Sequence, residues 1–144
     1  MTDNEVNHSP DQGSGTLDKA LPALVTVAIG GRALFATGCG LRPRKLMTEM
    51  FGSRFDGRSG TVFGLIFTGT DAAIGSGMHR SRTSPRRLSN WLLAGAAIDL
   101  VHVVLASTNQ DVGKGRRRAT AGMIGGLAVT GAALAGAVRK SETK

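Results

Sequence analysis

A chain of 144 residues has room for one domain, and its single cysteine, Cys39, excludes an internal disulfide. A net charge of +8 beside 41% hydrophobic residues leaves two kinds of partner open, nucleic acid and anionic lipid. The distribution is more telling, because the charges collect in the gaps between four apolar stretches instead of mixing as they do in a soluble globular domain.

Residues 1–16, MTDNEVNHSPDQGSGT, hold almost no apolar side chains and read as a disordered polar tail, with His8 in solvent. Leu21–Leu41 follows, near the length of about 20 residues that a helix needs to cross a bilayer core. Pro22 is placed to open this helix, and Gly38 and Gly40 to fray its end. Arg32 stands midway, where an arginine costs roughly 2.5–3.5 kcal/mol on insertion, so it calls for a partner. Ala36-Thr37-Gly38-Cys39 resembles a lipoprotein cleavage box, but it lacks the branched apolar residue at its first position, and Arg32 interrupts the run before it.

The connector Arg42–Arg58 has a pattern of its own. Leu46, Met47, Met50 and Phe51 share a helical face, which predicts a short amphipathic helix, lying among lipid headgroups or packed on the rest of the protein. Gly60–Met78 then carries a G-x-x-x-G pair, Gly60 and Gly64, and Asp71 near its middle. The next run, Trp91–Ser107 or Leu88–Ser107 with its first turn, places Asp99 and His102 three apart on one face, with Asn90 and Trp91 suited to a membrane interface. Ala119–Val138 has no ionisable residue, and Gly122 and Gly126 predict a helix packed tightly on the others. Residues 141–144 are a short tail. The pattern predicts an all-α protein: a four-helix transmembrane bundle over residues 17–140, with spans of about 21–41, 60–78, 88–107 and 119–138.

Arg32 is the twelfth residue of its run, Asp71 the twelfth of the next, and Asp99 the ninth of Trp91–Ser107, or the twelfth if that helix starts at Leu88. All three sit near mid-depth whichever way each helix runs, so they are expected to form one charge cluster inside the bundle, with His102 a member of it. Arginine suits two carboxylates because its planar guanidinium donates from more than one edge. One cation against two carboxylates leaves a negative charge over, which a proton on His102 or on one aspartate would settle. The plainer reading is a structural clasp. The sharper one is a protonatable site for ion or solute movement, although no transporter-type internal repeat is present.

Arg32, Gly69-Thr70-Asp71 and Trp91-Leu-Leu-Ala-Gly-Ala-Ala-Ile-Asp99 together resemble the pattern of small four-helix membrane proteins of actinobacteria, a group without an assigned activity. The resemblance covers roughly residues 20–138 and implies an integral membrane protein with no catalytic function. Thr70 stands where that pattern has an arginine, so Arg32 is the only cation at its depth.

The topology is finely balanced. If the four runs alternate, Lys19, Arg80, Arg82, Arg86, Arg87 and the three cations after Val138 face one side. Arg42, Arg44, Lys45, Arg54, Arg58, Lys114, Arg116, Arg117 and Arg118 face the other, so eight cations oppose nine and the positive-inside bias selects neither orientation. Both termini are placed in the cytoplasm because the polar tail has no evident export signal. Arg80, Arg82, Arg86 and Arg87, and Lys114, Arg116, Arg117 and Arg118, read as contacts to anionic headgroups, each contributing about 1 kcal/mol. Nucleic acid is less favoured: tyrosine is absent, and no helix-turn-helix or zinc spacing accompanies the basic clusters. Lys114 between Gly113 and Gly115 lacks the spacing of a phosphate loop, and no catalytic triad, metal-ligand set or cofactor fingerprint stands out. The expected protein is thus a non-enzymatic membrane component of structural or accessory role without a cofactor, whose partners are lipids and other membrane subunits. A small proton- or ion-coupled transporter or channel and a soluble basic nucleic-acid binder are the alternatives.

Overall fold

The computed structural model describes residues 12–142, with side chains from residue 19 onward. It is all-helical: α1 Gln12–Leu41, α2 Pro43–Phe51, a 3-10 turn Ser53–Phe55, α3 Arg58–Arg80, α4 Pro85–Thr108 and α5 Lys114–Ser141. Residues 1–11 of the expected tail, His8 among them, lie outside the described residues, as do residues 143–144. Residues 12–16 are not tail but the first turns of α1, and Pro22 lies inside that helix instead of opening it. A proline forfeits one hydrogen bond and crowds one preceding turn; it does not end a helix whose flanks propagate at one bond per residue.

Among the described residues three helices are long and apolar enough to cross a membrane by length and composition: Lys19–Leu41 within α1, α4 and α5. α3 spans 23 residues but is not among them, because glycines, threonines and Asp71 dilute its apolar content. The four-span expectation is to that extent corrected.

The four long helices touch in a ring. α1 packs on α3, α3 on α4, α4 on α5, and α5 back on α1, while among the described residues α1 and α4 make no backbone approach across the diagonal. Two apolar layers fill the ring. Near the α3–α4 turn, Val25, Ile74, Met78, Leu88, Leu92, Leu134, Ala135 and Val138 pack together. Toward the opposite end Cys39, Met47, Phe51, Phe67 and Ala106 form the second layer.

That second layer explains α2. Pro43 occupies its first turn, where a missing N–H costs nothing. Met47 and Phe51 are buried in the protein, so packing decides between the two readings of this helix, and its apolar face is not turned to headgroups. Phe51 stacks on Phe67 at 5.7 Å, Phe67 meets Phe35 edge-on at 6.5 Å, and Phe55 links Phe51 to Phe63. All five phenylalanines thus gather in one connected cluster. Gly52, at φ 89°, turns the chain out of α2, and a side chain there would press on Val112 at 2.9 Å.

The expected glycine contacts are redistributed. Gly60 and Gly64 do admit close neighbours, but these are Phe55 and Pro43 of the connector, not a second long helix. Gly122 and Gly126 face outward, with none of the described residues within 4 Å of where a side chain would begin, so the tight packing expected of them is corrected: Gly131 of α5 lies against Leu92 and Ala96 instead. A small-residue motif shows where close approach is possible, not which azimuth the neighbour takes.

Candidate functional site

Between the two apolar layers lies a buried charge cluster. Arg32 comes from α1, Asp71 from α3 and Asp99 from α4; Asp71 is 3% exposed and Asp99 6%. The Arg32 Nη1 group donates to Asp71 Oδ1, and Nη2 donates to Asp99 Oδ2 at 2.6 Å. Since α1 and α4 are diagonal partners, the long arginine stem is what joins them.

Two glycines make that reach possible. Gly75, one turn beyond Asp71, leaves room for the Arg32 stem, whose Cβ lies 3.7 Å from where a side chain would begin. Gly95, one turn before Asp99, lies directly beneath the guanidinium, so that a Cβ there would sit 2.7 Å from Nη2 and 3.0 Å from Cζ. Sequence reasoning found the charges but missed both glycines. The available signal was an aspartate with a glycine one helical turn away, which occurs in both carboxylate-bearing helices.

His102 takes a different place. It is 8% exposed, and its ring centroid lies 4.0 Å from that of Phe67, so it belongs to the aromatic layer. Among the described residues it makes no hydrogen bond to Asp99 or Arg32. A step of three residues moves a side chain about 4.5 Å along the axis and about 60° around it, enough to separate the two faces. His102 is therefore removed from the contacting cluster.

The basic groups lie at the two ends. Arg80, Arg82, Arg86 and Arg87 surround the α3–α4 turn, all exposed, and Arg82 reaches Thr26 of α1 at 3.4 Å. Lys114, Arg116 and Arg118 are exposed at the start of α5, with Arg117 half-buried. At that same end Arg54 pairs with Asp111 at 2.9 Å, tying the two connectors together. Among the described residues no group of three His, Cys, Asp or Glu side chains could hold a metal ion.

The class these observations define is an all-helical protein with apolar helices compatible with a membrane and an ion-paired interior. No protein-family model matches the chain, and no curated protein or solved structure matches it either.

Proposed function

We propose that the chain is a small multi-pass integral membrane protein of structural or accessory role, its four long helices forming a transmembrane bundle clasped by Arg32, Asp71 and Asp99. One observation carries this reading: the molecule is apolar outside and charged within. Val27, Leu34 and Leu41 of α1 are 71%, 77% and 78% exposed, and Val104, Leu127 and Val129 of the later helices are exposed as well, while both aspartates are buried. In water such a surface would invite association, whereas against lipid tails it has no hydrophobic cost. The outward threonines fit the same solvent. Thr26, Thr37 and Thr130 each donate to the carbonyl four residues back at 2.8 Å, which satisfies the hydroxyl without water.

α3 crosses with the others in this reading, because it is wedged between α1 and α4 and its one buried charge, Asp71, is turned inward. The basic clusters at either end then meet anionic headgroups, the termini share the cytoplasmic side of the cell membrane, and other membrane subunits are the expected protein partners. The resemblance to actinobacterial membrane proteins belongs to the same proposal, as does the absence of enzymatic activity. A soluble nucleic-acid binder would find cations at both ends but would leave the apolar faces in water.

Extraction of a membrane fraction with alkaline carbonate tests the reading. Retention in the pellet until detergent is added is the expected result, and release by carbonate would overturn it. The transporter reading draws on a specific observation, the single cation shared by two buried carboxylates. It separates from the clasp through Asp99→Asn: the clasp predicts lower abundance, whereas transport predicts a folded, inserted protein without its activity.

A further inference from the structure

An open-sided groove of about 720 Å³ runs between α1 and α3. That is within the roughly 300–1,000 Å³ of small-molecule sites. Ala33 and Gly40 of α1 and Ala72 and Ser76 of α3 are among its small lining side chains, Ile29 and Leu41 are the large ones, and Asp71 lines it about one turn from its Thr68 end. His79 and Arg80 close one end, about 13 Å along α3 from Asp71. Among the described residues Arg32 is the only donor to Asp71, and it engages Oδ1 alone. The second carboxylate oxygen thus has no donor among the described residues, in a cluster with one positive charge and two negative ones.

We propose that this groove binds a lipophilic monovalent cation, with its apolar body against the small-residue walls and its charge beside Asp71. Charge complementarity selects this occupant. A neutral lipid chain would leave the outstanding negative charge to be settled by a proton, and an anion would face Asp71 and Asp99 together, whereas a cation answers that charge directly. The remote Arg80 is too far along the helix to oppose a cation held at Asp71. A compact organic cation such as a tetraarylphosphonium supplies what the site lacks, diffuse positive charge on a weakly hydrated body, and Ala33, Gly40 and Ala72 leave it room between the larger Ile29 and Leu41. The proposal uses the membrane reading for one point only, that the groove opens toward lipid.

The test is equilibrium binding of tetraphenylphosphonium to the full chain purified in detergent. Saturable binding of one cation per chain is expected, weakened about tenfold or more by Asp71→Asn, and not competed by neutral triphenylphosphine oxide. Because Asp71→Asn also removes an ion pair and can unfold the protein, Ala72→Leu and Ala33→Leu provide a second arm. Both positions are exposed and stand on opposite walls, so each should retain helicity by circular dichroism while losing about tenfold or more in affinity. No saturable binding to the unmodified protein, unchanged binding in both folded leucine variants, or equal competition by the neutral compound would overturn the proposal. Carbonate release with binding intact would instead refute the membrane reading and leave the groove.

Discussion

Replacing Gly95 with alanine puts a methyl group where the Arg32 guanidinium now lies. The new carbon would stand 2.7 Å from Nη2, 3.0 Å from Cζ and 3.1 Å from Nε, closer than carbon and nitrogen atoms pack. A flexible arginine tip would ordinarily move aside at little cost, but this one is held by Asp71 and Asp99 together. Alanine gains about 1 kcal/mol over glycine in helix propensity. Displacing the guanidinium from a buried carboxylate costs about 3–5 kcal/mol, so the net expectation is a loss of about 2–4 kcal/mol. Thermal or denaturant unfolding of the purified protein in detergent, followed by circular dichroism, measures it. Gly126→Ala, with nothing near its added carbon, is the control and should be neutral or stabilising by up to about 1 kcal/mol. In an Arg32→Gln background the penalty at Gly95 should largely vanish, because the shorter amide does not reach over the glycine. A Gly95→Ala protein as stable as Gly126→Ala would refute the reasoning, as would a penalty that persists without Arg32.

Three further outcomes follow from the packing. Gly77→Ala places a carbon 2.3 Å from the Trp91 indole and should cost about 1–3 kcal/mol, with a shift in the emission of this single tryptophan that reports the ring moving. Phe67→Ala, which removes the ring touching Phe35, Phe51 and His102, should cost about 3–5 kcal/mol in unfolding experiments; Phe63→Ala, at the exposed rim, should cost clearly less. Ser89 is fully buried, and its hydroxyl has no hydrogen-bond partner among the described residues, so Ser89→Ala should raise the unfolding midpoint by relieving a penalty of about 1–3 kcal/mol.

Much of this molecule can be read along the chain, and the reason is geometric. Apolar runs of helical length locate the long helices, and a connector with Leu46, Met47, Met50 and Phe51 on one face locates α2. Helix boundaries are less accessible, as Pro22 shows, since a helix continues wherever neighbouring residues still favour it. α3 is less apolar than its length suggests, because its glycines, its threonines and Asp71 lower its mean hydropathy, and Gly60, Gly64, Gly75 and Gly77 are buried against protein.

Position around each helix is a different matter. Depth is linear in residue number, because every helical residue rises by the same increment, so Arg32, Asp71 and Asp99 share a level in the sequence as they do in the fold. Azimuth depends on which neighbours a helix acquires, and no local pattern states that. Tertiary structure alone therefore decided that His102 turns to Phe67 and not to the ion pairs, and that Gly122 and Gly126 face outward. It also gathered five phenylalanines into one layer and set Gly95 beneath the arginine. Each of these choices is made between helices distant in sequence, by the fit of surfaces that exist only once the helices meet.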